Sequence, residues 1–203
     1  MRSRLNLGTA MATALLLAGC AASSTRKPNL VETVDSYGFT ITEEVRLSGD
    51  VRADYDRAVQ LLAQQQYTQG IAMLQKVTAE APNVTAPYIN LGIAYGHTED
   101  FEHAEQSLKR ALELNPRHPI AHNELGMLYR RTGRFAEARA SYERALAIHP
   151  EFHFARRNLA ILCDIYLKDL ACALENYEHY EAAVPDDEEA AMWIADVRNR
   201  AGR

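Results

Sequence analysis

The sequence predicts an all-α array of helix hairpins stacked on one another, and three observations carry the prediction. Leu91-Gly92-x-x-Tyr95 recurs as Leu125-Gly126-x-x-Tyr129, 34 residues later. The same step takes Ala104 to Ala138, Leu108 to Tyr142, Ala111 to Ala145 and Pro116 to Pro150. Within a copy, Leu91, Tyr95, Leu108 and Leu112 fall at the spacing of a helix that buries one face. A hairpin that cannot cover its own apolar face is stabilised by stacking on copies of itself, and such arrays usually bind other proteins rather than catalyse.

The elements follow from this register. Gly92, Gly126, Ala104 and Ala138 are small where the two helices of a hairpin must approach closely, and Pro116 and Pro150 end one unit and open the next. Earlier in the chain, Tyr67, Gly70, Leu74, Val77 and Pro82 stand 34 residues before Phe101, Ala104, Leu108, Ala111 and Pro116, with Leu61 in place of the tyrosine. A terminal repeat is often atypical, because a neighbour covers only one of its sides. A fourth unit starts near His153, with Leu159-Ala160 and Cys163 where Leu125-Gly126 and Tyr129 stood. Leu170, Ala173, Tyr177, Tyr180 and Pro185 then resume the pattern at a step of 35, which puts one extra residue in the turn near Lys168. Helices are predicted near 52–64, 67–80, 85–97, 101–114, 119–132, 135–148, 153–167 and 169–183. A ninth follows from Asp186, whose acidic start Asp186-Asp187-Glu188-Glu189 suits a helix N-terminus. Its apolar stripe Ala190, Trp193, Ile194, Val197 would cover the open face of the fourth unit, with Trp193 as a core anchor.

The pattern closely resembles the tetratricopeptide repeat over residues 51–185, divided as about 51–84, 85–118, 119–152 and 153–185, with a capping helix and tail at 186–203. The resemblance implies a right-handed superhelical solenoid of four helix hairpins plus the cap, with the first helix of each pair lining a concave groove. Projected onto that register, the partner-binding groove holds Tyr55, Asn90, Ile93, His97, Asn123, Met127, Arg130, Arg131, Phe154, Arg157 and Asn158. Val59, Ile89, Glu124 and Ile161 fall on the same helices. Asn90 and Asn158 occupy equivalent positions two repeats apart, and an asparagine amide can both donate to and accept from a peptide backbone. Glu124 and Asp56 interrupt that asparagine ladder. Arg130-Arg131 could hold a carboxylate bidentately, although the lysines of carboxylate-clamp members of the family are absent.

The first residues read as a targeting segment. Arg2 and Arg4 precede an apolar run ending in Ala14-Leu15-Leu16-Leu17, too short to span a bilayer. Leu17-Ala18-Gly19-Cys20 resembles a bacterial lipobox, which implies that residues 1–19 are removed as a lipoprotein signal peptide and that Cys20 is lipidated. Ala21 rather than an aspartate follows, favouring the outer membrane, facing the periplasm. Residues 20–50 are expected to be the lipid anchor and a flexible tether, although Tyr37-Gly38-Phe39-Thr40-Ile41-Thr42 is β-prone and could lie on the first repeat or bind something.

Charge narrows the partner class. The whole chain is net −5; without the two leader arginines it holds 20 Lys+Arg against 27 Asp+Glu, net −7, which disfavours free nucleic acid. Residues 117–157 hold eight arginines and four glutamates, net +4, leaving −11 elsewhere. A basic middle on an acidic chain suggests an acidic or C-terminal peptide, or a helix, of an envelope protein. Arg139 and Arg144 read instead as solvating outer faces.

Cys163 near the end of one helix and Cys172 in the first turn of the next lie at similar height across a hairpin, and an envelope compartment lets disulfides persist. A Cys163–Cys172 disulfide is expected, the alternative reading being two small buried thiols. His118 and His122, like His149 and His153, are four apart, but each pair straddles a proline-marked helix start and lacks a third ligand at fitting spacing. No nucleotide loop or nucleophile elbow is present, so no catalytic residue, metal or cofactor is assigned. The expected function is a membrane-tethered protein–protein adaptor of the cell envelope, possible roles being pilotin-like work in type IV pilus or secretion assembly, or an accessory subunit of a peptidoglycan-enzyme or energy-transducing complex. A small-ligand or enzymatic groove is the alternative of another class.

Overall fold

The computed structural model describes residues 29–34, 39–45 and 47–202. The signal-peptide and Cys20 expectations lie outside the described residues.

Helix α1 spans Gly49–Ala63 and pairs with α2, Tyr67–Glu80. Next come α3, Thr85–His97, with α4, Phe101–Leu114, and α5, Pro119–Arg131, with α6, Phe135–Ile148. The fourth hairpin joins α7, His153–Ile161, to α8, Leu170–Ala183, and α9, Glu188–Ala201, closes the array. The boundaries have local causes. Ser48, Asp100, Asp169 and Asp187 accept from backbone N–H groups at the starts of α1, α4, α8 and α9, satisfying donors that the helix leaves unpaired. Pro119 sits in the first turn of α5, where its missing N–H costs nothing.

Within each hairpin the turn uses one residue in the left-handed region: Gln65, Glu99, Gly133 and Lys168, at φ 59°, 62°, 76° and 57°. Their spacing is 34, 34 and 35. The extra residue of the fourth repeat therefore lies before Lys168, correcting its expected place in the turn. It is taken up inside the helix: α7 continues as a π-helical segment, Leu162–Leu167, and the N–H groups of Lys168 and Asp169 both reach back to the Cys163 carbonyl. One added residue in a wider turn keeps the following helix in register, where a longer loop would displace it.

Packing explains the small residues. A Cβ on Gly92 would overlap the Leu108 side chain, and one on Gly126 would lie 2.5 Å from Tyr142 Cε1. The two members of each pair are complementary: Tyr142, fully buried, is accommodated because residue 126 lacks a side chain. One core cluster runs from Ile89 through α9, and a second joins the first repeat to α3. In α9, Ala190, Ile194 and Val197 are buried, and Trp193 packs against Tyr177 and Tyr180 at ring separations of 5.4 and 6.5 Å, as expected of a core anchor.

Residues 29–34 and 40–45 depart from the expected flexible tether. Strand β1, Asn29–Val34, pairs antiparallel with β2, Thr40–Val45, in the register Val31↔Glu43 and Thr33↔Ile41. Alternation is the physical reason. Val31, Thr33, Ile41, Glu43 and Val45 face the helices, while Glu32, Val34, Thr40, Thr42 and Glu44 face solvent. A two-stranded hairpin is marginal alone, and here its inner face is buried on the array: Val31 and Thr33 are 0% exposed. Among the described residues, no helix is long and apolar enough to cross a membrane.

Candidate partner-binding surface

The first helix of each repeat carries the polar residues singled out in the sequence, and the structure divides them into three groups. Asn90, Asn123, Asn158 and Tyr55 form the first. Asn158 Nδ2 donates to Asn123 Oδ1 at 3.0 Å, and Asn90 Nδ2 donates to Tyr55 Oη at 2.9 Å. Tyr55 Oη in turn donates to the Glu32 carbonyl of β1 at 3.0 Å. All four are buried, so these amides stitch neighbouring repeats together across a step of 35 residues instead of standing open to a peptide. Burial, only partly opposed by the Asn90 bond, pushes the Tyr55 hydroxyl pKa up, so it stays a neutral donor.

His97 and Arg131 form the second group. His97 stacks on Tyr67 at 4.4 Å between centroids, and Arg131 lies over Phe101 at 4.8 Å while donating to the Gly96 carbonyl at 2.7 Å. Tyr67, Phe101 and Phe135 open the second helices one register step apart, and each meets the last turn of the next repeat's first helix. The π-helical residue makes the third contact, Phe135 with Tyr166 at 4.8 Å. His97 and Arg131 are thus edge contacts at the turn side. Both also line a cavity of about 250 Å³, together with the groove positions Ile93 and Met127 and with Leu128 and Glu124. Burial, and then the Arg131 charge, lower the His97 pKa.

The third group keeps a groove character. Arg130 is half-buried, its Nε has no hydrogen-bond partner, and no carboxylate pairs with it among the described residues. Arg157 lies over the rings of Phe154 and Tyr180 at 5.4 and 5.6 Å. Tyr177 sits within the field of both arginines; burial first, and Asp164 second, still push its pKa up to about 12. Asp164, buried at the base, is neutralised by Arg200 of α9 at 2.6 Å, which closes this end of the array.

Cys163 and Cys172 are joined in a disulfide, with Cα atoms 5.9 Å apart. Asp169 lies close to both sulfurs but caps α8 and pairs with Arg139 at 3.2 Å, so the three do not form an open ligand set. The surface residues that sequence reasoning missed are at the junctions between repeats. Glu43 accepts from Asn115 Nδ2 at 2.8 Å and lies 3.9 Å from His118 Nε2, while Phe39 stacks on Phe152 at 4.0 Å and meets the His149 ring edge-on at 5.1 Å. Their signal was the period-two alternation of residues 31–34 and 41–45.

Residues 89–151 match the family model described as tetratricopeptide repeat. Helix hairpins continue on either side of that span, the first packed on α3 through its own core cluster and the fourth within the main one. The fold is a tetratricopeptide-repeat solenoid. Solved structures agree. PilF of Pseudomonas aeruginosa superposes with a TM-score of 0.68 at 19% identity, covering 74% of this chain and 68% of that one. A thermophilic tetratricopeptide-repeat protein of Thermus thermophilus gives 0.64 at 25% identity, over 73% and 81%. The first repeat domain of Spaghetti (RPAP3), bound to the HSP90 peptide SRMEEVD, gives 0.55 at 18% identity, over 59% and 96%. No curated protein matches the chain in sequence. Repeat arrays of this kind generally present extended concave surfaces to other proteins.

Proposed function

We propose that this solenoid is a lipid-anchored adaptor of the bacterial cell envelope, tethered through Cys20 to the outer membrane on its periplasmic side. In this reading it holds an acidic peptide or helix of an envelope partner against repeats three and four. The observation that carries the binding half is Arg130: a cation on the concave helices with no carboxylate partner among the described residues, beside Arg157. A guanidinium held on a rigid helix supplies paired donors for a partner's carboxylate at small entropic cost. Leu17-Ala18-Gly19-Cys20 supports the membrane half. The likeness to PilF is one of fold, and a pilotin-like role in pilus or secretion assembly is the most concrete form of the proposal. The peptide held by the RPAP3 domain, SRMEEVD, is acidic at its C-terminus, which is the partner chemistry proposed for this chain.

The test is crosslinking in intact cells followed by purification of the wild type and of Arg130→Glu/Arg157→Glu. One envelope protein captured by the wild type and lost in the folded variant supports the groove. Capture that persists unchanged overturns it. Mass spectrometry of the mature N-terminus, with Cys20→Ser as control, tests the anchor: an unmodified Cys20, or a chain retaining residues 1–19, removes it.

A further inference from the structure

The hairpin crosses the junctions where each second helix hands over to the next first helix. These junctions repeat: Val84, His118 and Phe152 are one register step of 34 apart and precede α3, α5 and α7, and Asn115 and His149 are likewise equivalent. Residues in and on either side of β2 meet them in reverse order at a step of four residues. Leu47 packs in the cluster that holds Val84, Glu43 bonds Asn115 beside His118, and Phe39 stacks on Phe152 beside His149. Four extended residues cover about 13 Å, so one residue in four meets each successive junction. The array thus presents a ruled edge of stations, filled at present by the chain's own strand.

That filling is imperfect. Thr33 Oγ1, Glu43 Oε2, both ring nitrogens of His118 and His149 Nδ1 are buried there without a hydrogen-bond partner among the described residues. Buried polar groups are normally paired, and release would return these to water, so the docked strand carries a cost that the helical core does not. Its outer face is exposed and, apart from Val34, polar, and detached from the array a two-stranded sheet has little stability of its own.

We propose that strands β1 and β2, together with Leu47, are a displaceable occupant of a second binding edge, and that this edge receives an extended partner segment with an aromatic residue, a carboxylate four residues later and an apolar residue four beyond that. The occupant teaches the specificity: an aromatic ring for the Phe152–His149 shelf, a carboxylate for Asn115 and His118, and an aliphatic side chain beside Val84. The edge is separate from the Arg130 groove and needs neither the lipid nor an envelope partner.

The test uses the purified full chain and a fluorescent synthetic peptide with the sequence of residues 37–49. While the strand is docked, only the released fraction of the protein is competent, so apparent affinity is reduced by that fraction. Loosening the strand with Phe39→Ala/Glu43→Ala in the protein is expected to tighten peptide binding at least about ten-fold over wild type. The same replacements made in the peptide are expected to abolish the gain. Equal affinity for both proteins, or binding indifferent to the peptide's aromatic and acidic residues, overturns the proposal. So does strand exchange between two copies giving a dimer with no affinity for the peptide. Hydrogen exchange on the unaltered protein guards against a misfolded variant. Amides of Thr40–Val45 exchanging through local opening, while α5 and α7 stay protected, support displacement; exchange of that strand only through global unfolding overturns it.

Discussion

Asn158 donates to Asn123 across the boundary between repeats three and four, and neither side chain is exposed. The bond matches the one from Asn90 to Tyr55 between repeats one and two. Truncating either partner leaves the other buried without its mate, which costs about 1–3 kcal/mol. Asn158→Ala is therefore expected to lower the urea midpoint by that amount without changing the slope. A double-mutant cycle with Asn123→Ala should return a clear coupling energy. Unchanged stability would reopen these amides as peptide-gripping groups.

Gly126 and Tyr142 share one space. Gly126→Ala forces a methyl into the ring of a fully buried tyrosine, at an expected cost of about 1–3 kcal/mol. Thermal melts followed by circular dichroism measure it, and Gly126→Ala/Tyr142→Leu should recover part of the loss by recreating the Gly92–Leu108 type of pair. No recovery would mean that helix crossing, not the ring, sets the limit.

The Cys163–Cys172 bond closes a loop of sequence separation nine between the π-helical segment and α8. On loop-closure arguments it stabilises by about 2–3 kcal/mol. Cys163→Ser/Cys172→Ser, or reductant, is expected to lower Tm accordingly, and the unreduced chain should take up no alkylating agent at these positions. Alkylation of both cysteines in the native, unreduced protein would refute the bond.

Acid should act through the junction histidines. Burial first, and His122 second, pull the His118 pKa from 6.5 down to about 4, and His122 is depressed as well. Below about pH 6.5 the unfolded chain takes up a proton that folded His118 refuses, so this residue's share of stability is lost as pH falls toward 4. At about 1.4 kcal/mol per unit the loss approaches about 3 kcal/mol. Glu43 works in the opposite sense: burial raises its pKa against the Asn115 bond, so the folded chain binds a proton while the unfolded chain is still ionised, and acid relieves the buried charge. Urea midpoints between pH 7 and pH 4.5 should fall more steeply in Glu43→Gln than in wild type, and less steeply in His118→Asn. Identical pH profiles in all three would exclude this linkage.

The helices were legible because a 34-residue recurrence constrains each boundary several times over. The register that aligns Pro116 with Pro150 also aligns the left-handed turn residues Glu99 and Gly133. The π-helical segment was not legible, since an inserted residue looks the same in sequence whether a loop or a helix absorbs it. The groove was half legible. Register located Asn90, Asn123 and Asn158 on the right helices, but an amide that bonds the adjacent repeat and one that waits for a ligand have the same composition. The distinguishing sign was present: each donor has a polar residue 35 positions before it, Tyr55 for Asn90 and Asn123 for Asn158. Of the two strands, only the β-prone start of β2 at Thr40–Thr42 was legible; the rest escaped because Glu43 breaks the apolar inner face, and only the facing Asn115 and His118 explain a carboxylate there.

That hairpin also fixes a length. If the proposed lipid on Cys20 holds the chain, nine residues separate it from Asn29 at the start of β1, and nine residues in any conformation span at most about 30 Å. Under that proposal, the solenoid and its partner would meet within this distance of the membrane surface. With the strands detached, the first helix begins at Gly49, and the upper bound on that distance grows to about 100 Å. A single event at the junction edge would both uncover a surface and let the body travel outward, coupling what the protein can hold to how far from the lipid it can hold it.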